Sequence, residues 1–488
     1  MNVVDHIFAT ARADPNRVAL LADASGRDAE SIGYGPLVDR AEAHAERFRA
    51  AGLRPGDRCG LSAPAGPTFI ELALGILRAS GCLVPVADEH QGEAFDGFAA
   101  SARLHHVVSA PADGPSLRRL AAPAPLAGGG DDEFRALRPA FLRFTSGTTS
   151  RRKGVVIGHE AVVARTAAAN GALRIGPSDR VLWQLPMAHH FVVSILLYLR
   201  YGATILLPSG SLAGPVLDLA RRERATVLYA SPHHYRLLAK DRSEVGLDSV
   251  RLAVSTAEGL RGDIAEAFFE RFRIPLVQAL GIIEVGIPVM NTVSARAKPL
   301  ALGRPLPGFD VWLRDSEGRP VVGPTSPDET GEICIRGPGL FDAYLEPWIP
   351  AQAILTPDGF RTGDQGWLDV DGDLHLSGRR ANRICMAGMK FFGEEVEAVL
   401  DTHIGVRESR VFAAQHEHLG EIPVAEIVPE DAAAAPTRKE LAAHCRVSLP
   451  GYKVPREFRI VQALPRTITG KVQRSEPGVP DSVGAPPR

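Results

Sequence analysis

The chain has 488 residues, 45% of them hydrophobic and 23% charged, with a formal net charge of −2. That length exceeds what a single hydrophobic core serves, so roughly three domain-sized units are expected. A balance this close to neutral gives no electrostatic reason to expect nucleic acid as a partner.

In chain order, helical spacing is predicted over 3–13 and 34–51, a strand over 58–63, a helix over 69–79 and a strand over 81–86. Strand–helix–strand alternation of this kind implies parallel pairing with crossover helices. Residues 123–138, rich in Pro, Gly and acids, read as a loop before a strand at 140–144, and a helix is expected over 159–169. Further strands are predicted at 181–184, 203–207, 226–230, 251–255 and 275–279. After about Gly303 the pattern changes to short strands separated by Gly/Asp turns, at 309–313, 331–335, 367–370 and 374–377, which suggests a small antiparallel barrel or sheet. A further α+β unit follows: a helix at 393–401, strands at 410–412 and 423–428, a helix at 437–448 and a strand at 457–461. The fold class expected is therefore α/β: a large N-terminal domain, 1–378, with a β-barrel-like subdomain at about 303–378, then a small α+β domain, 379–475. Residues 476–488, rich in Pro and Gly, read as a flexible tail.

The 48 Gly and 38 Pro are spread along the chain and punctuate many short loops. Five scattered cysteines without CxxC spacing point to reduced thiols and a cytoplasmic setting. The first 14 residues hold acids and no apolar core, so no signal peptide is expected. The longest apolar run, 191–199, stops at Arg200 and is shorter than the ~20 residues a bilayer requires.

Two loops carry chemistry. The first is Phe144-Thr145-Ser146-Gly147-Thr148-Thr149-Ser150-Arg151-Arg152-Lys153-Gly154. Small residues let backbone N–H groups approach phosphate oxygens, hydroxyls donate hydrogen bonds, and the cations offset charge. GxxxxGK[ST] cannot be fitted to it. Taken alone, the loop also reads as a polar surface turn. The second is Pro465-Arg466-Thr467-Ile468-Thr469-Gly470-Lys471-Val472-Gln473-Arg474, which alone reads as a solvated basic loop.

Together, in this order, the loops resemble those of the adenylate-forming superfamily of acyl- and aryl-CoA synthetases, peptide-synthetase adenylation domains and firefly luciferase. The first is similar to [ST]SGTTGxPKG, with Ser150 for Gly and Arg152 for Pro; the second is similar to PRTxxGKxxR throughout. Between them, Pro186–Phe191 resembles PLxHxx, and Gly281-Ile282-Ile283-Glu284 resembles the end of YGxTE. Gly331–Gly337 with Tyr344 resembles GEIxxxG…GY, and Phe360–Asp364 resembles YRTGD. Gly378-Arg379, Gly388 and Glu394–Glu397 resemble GRxDDxIK…G…xEIE. The resemblance covers essentially the whole chain.

The resemblance implies ATP and Mg²⁺ as cofactors, and CoA or a carrier-protein phosphopantetheine as co-substrate. Thr145, Ser146, Gly147, Thr148, Thr149 and Lys153 would hold the β- and γ-phosphates. Glu284, with Thr148, would hold Mg²⁺. Asp364 would accept from the ribose hydroxyls, with Arg379 assisting; Ala257, Glu258, Leu280 and Gly281 would flank adenine. Lys471 would stabilise charge on the α-phosphate as the acid attacks it. The resemblance also implies a C-terminal domain that turns on a hinge at Ala381, then brings Gly388 and Lys390 to a thiol tunnel. His189, beside the carboxylate and the thiol, reads equally as a half-buried structural histidine. The acyl pocket is expected from His189, His190, Ser194, Tyr229, His234, Ile283 and Gly286, whose His and Tyr content hints at an aryl or polar-substituted acid. Leu280 and Ile283 stand where the motif has Tyr and Thr, Ala381 where it has Asp or Lys, and Asn382 where it has the second Asp of DD. The function expected is ATP-dependent formation of an acyl-adenylate followed by acyl transfer to CoA. The alternatives are a stand-alone ligase loading a carrier protein and a nucleotide-binding protein without chemistry. Neither a membrane span nor a nucleic-acid partner is expected, and the acid itself is not readable.

Overall fold

The computed structural model describes residues 2–23, 29–87, 90–110, 114–126, 130–144, 153–356, 359–466 and 472–473, apart from the side chain of Ala381. The described residues form two compact units, one from 1–145, 153–310 and 336–359, the other from 311–335 and 360 onward.

The first unit holds two large sheets. One has nine strands in the order Arg304–Pro305, Gly286–Met290, Leu276–Ile282, Leu252–Ser255, Val227–Ala230, Arg180–Gln184, Thr204–Leu207, Val18–Ala22, Glu30–Gly33. From Leu276–Ile282 to Val18–Ala22 all neighbours are parallel, and the edges are antiparallel. Strands such as Thr204–Leu207 and Val227–Ala230 are buried at every position. Continuous apolar runs of this kind are what a parallel sheet covered on both faces requires. The other sheet has eight strands: Ile349–Pro350, Ala343–Tyr344, Gly154–Gly158, Pro139–Phe144, Cys82–Pro85, Arg58–Ser62, His106–Ser109, Ser116–Arg119.

Helix Pro67–Arg78 is buried without a break from Phe69 to Leu77. A helix apolar on all sides must be covered on all sides. It packs on helices Val3–Ala13 and Tyr34–Ala50 and on strands Arg58–Ser62 and Cys82–Pro85. Gly75 makes the approach to Tyr34–Ala50 possible, since a Cβ there would lie 2.7 Å from the Cβ of His44. Helix His159–Leu173 touches Gly286–Met290 of the first sheet and Pro139–Phe144 and Gly154–Gly158 of the second. Helices Ala213–Arg222, Pro232–Lys240 and Gly262–Phe272 cover the nine-stranded sheet with Leu217, Tyr235 and Phe268, packed in one core with Leu182, Leu228 and Ala253.

In the second unit, Asp310–Arg314, Gly331–Arg336, Phe360–Leu368 and Leu374–Arg379 form a four-stranded sheet in that order. Met389–Phe392, Arg383–Met386, Gly420–Pro429 and Val406–His416 form another, to which Glu457–Ile460 adds in parallel to Gly420–Pro429. Helices Gly393–Leu400 and Arg438–Ser448 cover it through Val396, Leu400, Leu441 and Cys445.

Three differences from the sequence reading stand out. The expected loop at 123–138 contains the helix Gly130–Ala136, held by tertiary contacts: Phe134 is buried against Trp348 and under the guanidinium of Arg58. Two edge hairpins, Val18–Ala22 with Glu30–Gly33 and His106–Ser109 with Ser116–Arg119, were not foreseen. The sequence boundary at 378/379 falls inside the second unit, where helix Gly393–Leu400 packs on strand Leu374–Arg379. The tail at 476–488 lies outside the described residues. Among the described residues, no helix is long and apolar enough to cross a membrane, and all five cysteines are free thiols.

Candidate functional site

Ala257 and Glu258 follow the parallel strand Leu252–Ser255, and Leu280 and Gly281 lie toward the end of Leu276–Ile282, on the side where open α/β sheets bind ligands. Strand Leu252–Ser255 ends at Thr256 and Ala257, and Ala257 adopts φ +75°, a left-handed conformation costly for a residue with a Cβ. Thr256 donates its Oγ1 to the Ala279 carbonyl at 3.1 Å, tying this turn to the next strand. Leu280 is buried, Gly281 and Glu258 are exposed, and Ala257 is half-buried.

Glu284 sits in the turn between Ile282 and Gly286, and Gly286 (φ +102°) lets the chain reverse there. Its carboxylate Oε1 accepts from the Tyr344 hydroxyl at 3.0 Å, and it is 9% exposed. Burial first, and the Glu284 charge next, push the Tyr344 pKa far above its ordinary value, so the hydroxyl keeps its proton. Tyr344 pairs with Val155 of the neighbouring strand. Lys153 lies two residues before Val155, immediately ahead of strand Gly154–Gly158. Its Nζ lies 4.7 Å from the centre of the Tyr344 ring, in cation–π contact. Residues distant in sequence thus meet on one tyrosine.

Sequence reasoning missed Arg165, which organises this corner. Its buried guanidinium donates from Nε to the Gly339 carbonyl at 2.9 Å and from Nη1 to the Ile283 carbonyl at 3.0 Å. It thereby clamps the Glu284 turn to the segment leading into Tyr344. Burial lowers its pKa to about 10, which leaves it charged at neutral pH. The one signal was an arginine among Ala, Val and Thr in a helix otherwise made for packing. Tyr344 was matched to a motif but given no role.

A cavity of about 390 Å³ is lined by His234 with Trp183, Gln184, Met187 and Ser209, and by none of the other six expected acyl-pocket residues. His234 Nδ1 bonds Ser231 Oγ at 2.8 Å, and burial, then His233, lowers its pKa to about 4. Tyr229 is 1% exposed and meets Tyr198 edge-on at 6.0 Å. Ser194 Oγ donates to the His190 carbonyl at 2.5 Å, and the His189 carbonyl accepts from Arg143. Ile283 offers its carbonyl to Arg165, and Gly286 packs on that side chain.

In the second unit, Asp364 and Arg379 face each other across strands Phe360–Leu368 and Leu374–Arg379, with Arg379 Nε donating to Asp364 Oδ1 at 3.1 Å. Asp364 is 7% exposed, while Arg379 projects outward. Gly363 at φ +75° and Thr362, whose Oγ1 accepts from the Asp364 N–H at 3.0 Å, shape the approach. Gly388 (φ +83°) and Ala387 (φ +49°) make the two-residue turn of the hairpin Arg383–Met386/Met389–Phe392, with Lys390 exposed on its second strand. Ala381 lies in the short 3₁₀ turn Arg380–Asn382.

Thr145, Ser146, Gly147, Thr148, Thr149 and Lys471 lie outside the described residues. The stems of the Lys471 loop are described: Arg466 bridges Val472, and the Gln473 N–H donates to the Pro465 carbonyl at 2.9 Å. The buried Arg410 donates from Nη1 to the Gln473 carbonyl at 2.6 Å and from Nε to Glu426 at 2.7 Å. Among the described residues no three His, Cys, Asp or Glu side chains come together as a metal site. Glu284 is the carboxylate that suits a hard cation also held by phosphate oxygens, because such a cation takes few protein ligands.

Residues 7–345 match the family described as AMP-binding enzyme, and residues 395–471 match the AMP-binding enzyme C-terminal domain. The chain is 27% identical to a feruloyl-CoA synthase of Amycolatopsis sp, over 91% of this chain and 93% of that one. It is 28% identical to a sulfoacetate–CoA ligase of Cupriavidus necator, over 94% of each. The solved structure of the amide bond synthetase McbA from Marinactinospora thermotolerans superposes with a TM-score of 0.82 at 26% identity, over 97% of this chain and 98% of that one.

Proposed function

The chain belongs to the AMP-binding enzyme family, and on that premise we propose that it activates a carboxylic acid with ATP and passes the acyl group to a thiol, CoA first among them. The meeting of Lys153 and Glu284 on Tyr344 carries the reading, because it sets a cation and a carboxylate side by side at the carboxyl edge of the sheets. The similarity to two CoA ligases along nearly their whole lengths supports the acceptor.

The acid's carboxylate oxygen attacks the α-phosphorus in line, the bond to the bridging oxygen breaks, and pyrophosphate leaves. In the proposal Lys153, with the loop at 145–149, holds the β- and γ-phosphates. Lys471 offsets the charge that grows on the α-phosphate. Glu284 and Thr148 would hold Mg²⁺, which supplies neutralising charge to the leaving group. Asp364 receives the ribose hydroxyls, supported by its low exposure and its bond to Arg379. Ala257, Glu258, Leu280 and Gly281 line the base. His189 stands beside the acid, and the remaining acyl-pocket residues retain that assignment within the proposal. In the second step the thiolate sulfur attacks the acyl carbonyl carbon and AMP leaves, with Gly388 and Lys390 at the thiol. A nucleotide-binding part at 1–378 and a lid at 379–475 turning at Ala381 belong to the same proposal. So does a cytoplasmic setting, supported by the free thiols.

The test is ATP–pyrophosphate exchange in magnesium across a panel of aliphatic and aryl acids. Exchange with at least one acid is expected; none with any acid, using folded protein, refutes the enzyme reading. Thioester assays with CoA and with holo carrier protein then choose the acceptor.

A further inference from the structure

We infer that Tyr344 is a positioning residue that holds Lys153 and Glu284 close without letting them pair. The inference rests on the proposed roles of those two residues toward phosphate and Mg²⁺. A lysine and a carboxylate gathered for one polyphosphate face a hazard. Without ligand they attract each other, and a direct ion pair would occupy both. Among the described residues Lys153 and Glu284 share no ion pair, and Tyr344 stands between them. Its hydroxyl donates to Glu284 Oε1 at 3.0 Å, and its ring face receives the Lys153 ammonium at 4.7 Å.

Both contacts are built in. The hydroxyl belongs to a buried side chain and donates to the carboxylate at 3.0 Å. It occupies one carboxylate oxygen with one proton and adds no charge, so the negative charge stays available to a cation. The ring attracts the ammonium through its quadrupole, more weakly than a carboxylate would, so a phosphate oxygen can draw the lysine away. The ring is fixed by the pairing of Tyr344 with Val155 and by Phe341, whose ring centre lies 4.8 Å from it. Arg165 fixes the Glu284 side through the Ile283 carbonyl.

Two variants separate the functions of the side chain. Tyr344→Phe keeps the ring and loses the hydroxyl; Tyr344→Leu loses both. A hydrogen bond to a charged group is worth roughly ten- to a hundredfold in an equilibrium. The Mg²⁺ concentration giving half-maximal exchange should therefore shift by about tenfold or more in Tyr344→Phe. An independent readout needs no turnover: acetylation of Lys153 by an amine-reactive ester in nucleotide-free protein, followed by peptide mass spectrometry. A lysine paired directly with a carboxylate holds its proton more tightly and acylates more slowly. Labelling should match wild type in Tyr344→Phe, slow several-fold in Tyr344→Leu, and recover in Tyr344→Leu/Glu284→Gln. Equal labelling rates in wild type and Tyr344→Leu, with thermal unfolding showing both folded, overturn the insulating role. An unchanged magnesium requirement in Tyr344→Phe beside a raised one in Glu284→Gln overturns the positioning of Glu284. If Glu284→Gln itself leaves the requirement unchanged, the proposed role of Glu284 falls instead, and the labelling still decides the inference.

Discussion

Replacing Arg410 by methionine tests whether a buried ion pair also anchors the loop proposed to carry Lys471 to ATP. Arg410 is 1% exposed and its partner Glu426 6%. Its Nε lies 2.7 Å from Glu426 Oε2, its Nη1 donates to the Gln473 carbonyl at 2.6 Å, and its guanidinium covers the Phe412 ring at 4.8 Å. Methionine fills a similar volume but strands the Glu426 carboxylate, which costs about 3–5 kcal/mol. For a unit of this size that is a fall of roughly 10 °C in melting temperature. In Arg410→Met/Glu426→Leu the stranded charge is gone, so most of the stability should return. The Gln473 carbonyl, two residues past Lys471, still lacks its charged donor. Exchange activity should therefore stay down by about tenfold, the size of one charge-assisted hydrogen bond. Urea unfolding and pyrophosphate exchange on wild type, both single variants and the double variant give the answer. A loss under about 1 kcal/mol in Arg410→Met refutes the cost assigned to the pair. A double variant with wild-type exchange refutes the anchoring of the loop.

Lys471→Ala should lower adenylation by ~10²–10³ or more while sparing thioester formation from supplied acyl-adenylate; near-normal exchange would remove Lys471 from the mechanism. Burial, then Arg138, holds His159 at about 4 in the folded chain against an ordinary value of 6.5, and its Nδ1 accepts from the Val3 N–H. Between those values the unfolded chain binds more protons, so stability present above pH 6.5 is lost as pH falls toward 4. By pH 5 the loss is on the order of 1–2 kcal/mol; His159→Gln should flatten the slope, and identical slopes by calorimetry would exclude this histidine as its source. At Gly303, φ is +91° and a Cβ would stand 2.4 Å from the Asn291 Cα and 2.5 Å from the Met290 oxygen. Gly303→Ala should cost ~3 kcal/mol or more in thermal unfolding, and a change under about 1 kcal/mol would show the backbone yields there.

The parallel strands were legible because they are short apolar runs between turn residues, as at Val227–Ala230 and Leu252–Ser255. Helix Gly130–Ala136 was not. Its first turn carries Asp131, Asp132 and Glu133, which composition reads as loop, and it is settled by Phe134 against a tryptophan over 200 residues away. The hairpin of Val406–His416 and Gly420–Pro429 was found but drawn too short, because polar residues at its far end break the apolar pattern. Motif spacing named Glu284 and Lys153, which meet on Tyr344, and Asp364 and Arg379, which pair with each other in the second unit. It was blind to Arg165, which contacts carbonyls, since any residue supplies a carbonyl and no sequence pattern marks one. Sequence reasoning named His234 for a pocket but none of the other residues that line the cavity there, for a related reason: that space is bounded by elements from residues 65 to 234 whose convergence is tertiary.

The pairing of Ala343–Tyr344 with Val155 and Val156 has a consequence in time. On the ribosome the strand Gly154–Gly158 emerges early, finds Pro139–Phe144, and then offers its other edge to solvent. Its second neighbour begins at Ala343, about 185 residues downstream, and at roughly 5–20 residues per second that edge stays open for on the order of 10–40 s. An open edge of Val-Val-Ile is a template for unwanted pairing. A nascent chain halted before residue 343 should therefore recruit holdases or aggregate. Synthesis of Tyr344 would close the edge and, in the same event, give Lys153 its ring and Glu284 its hydrogen bond.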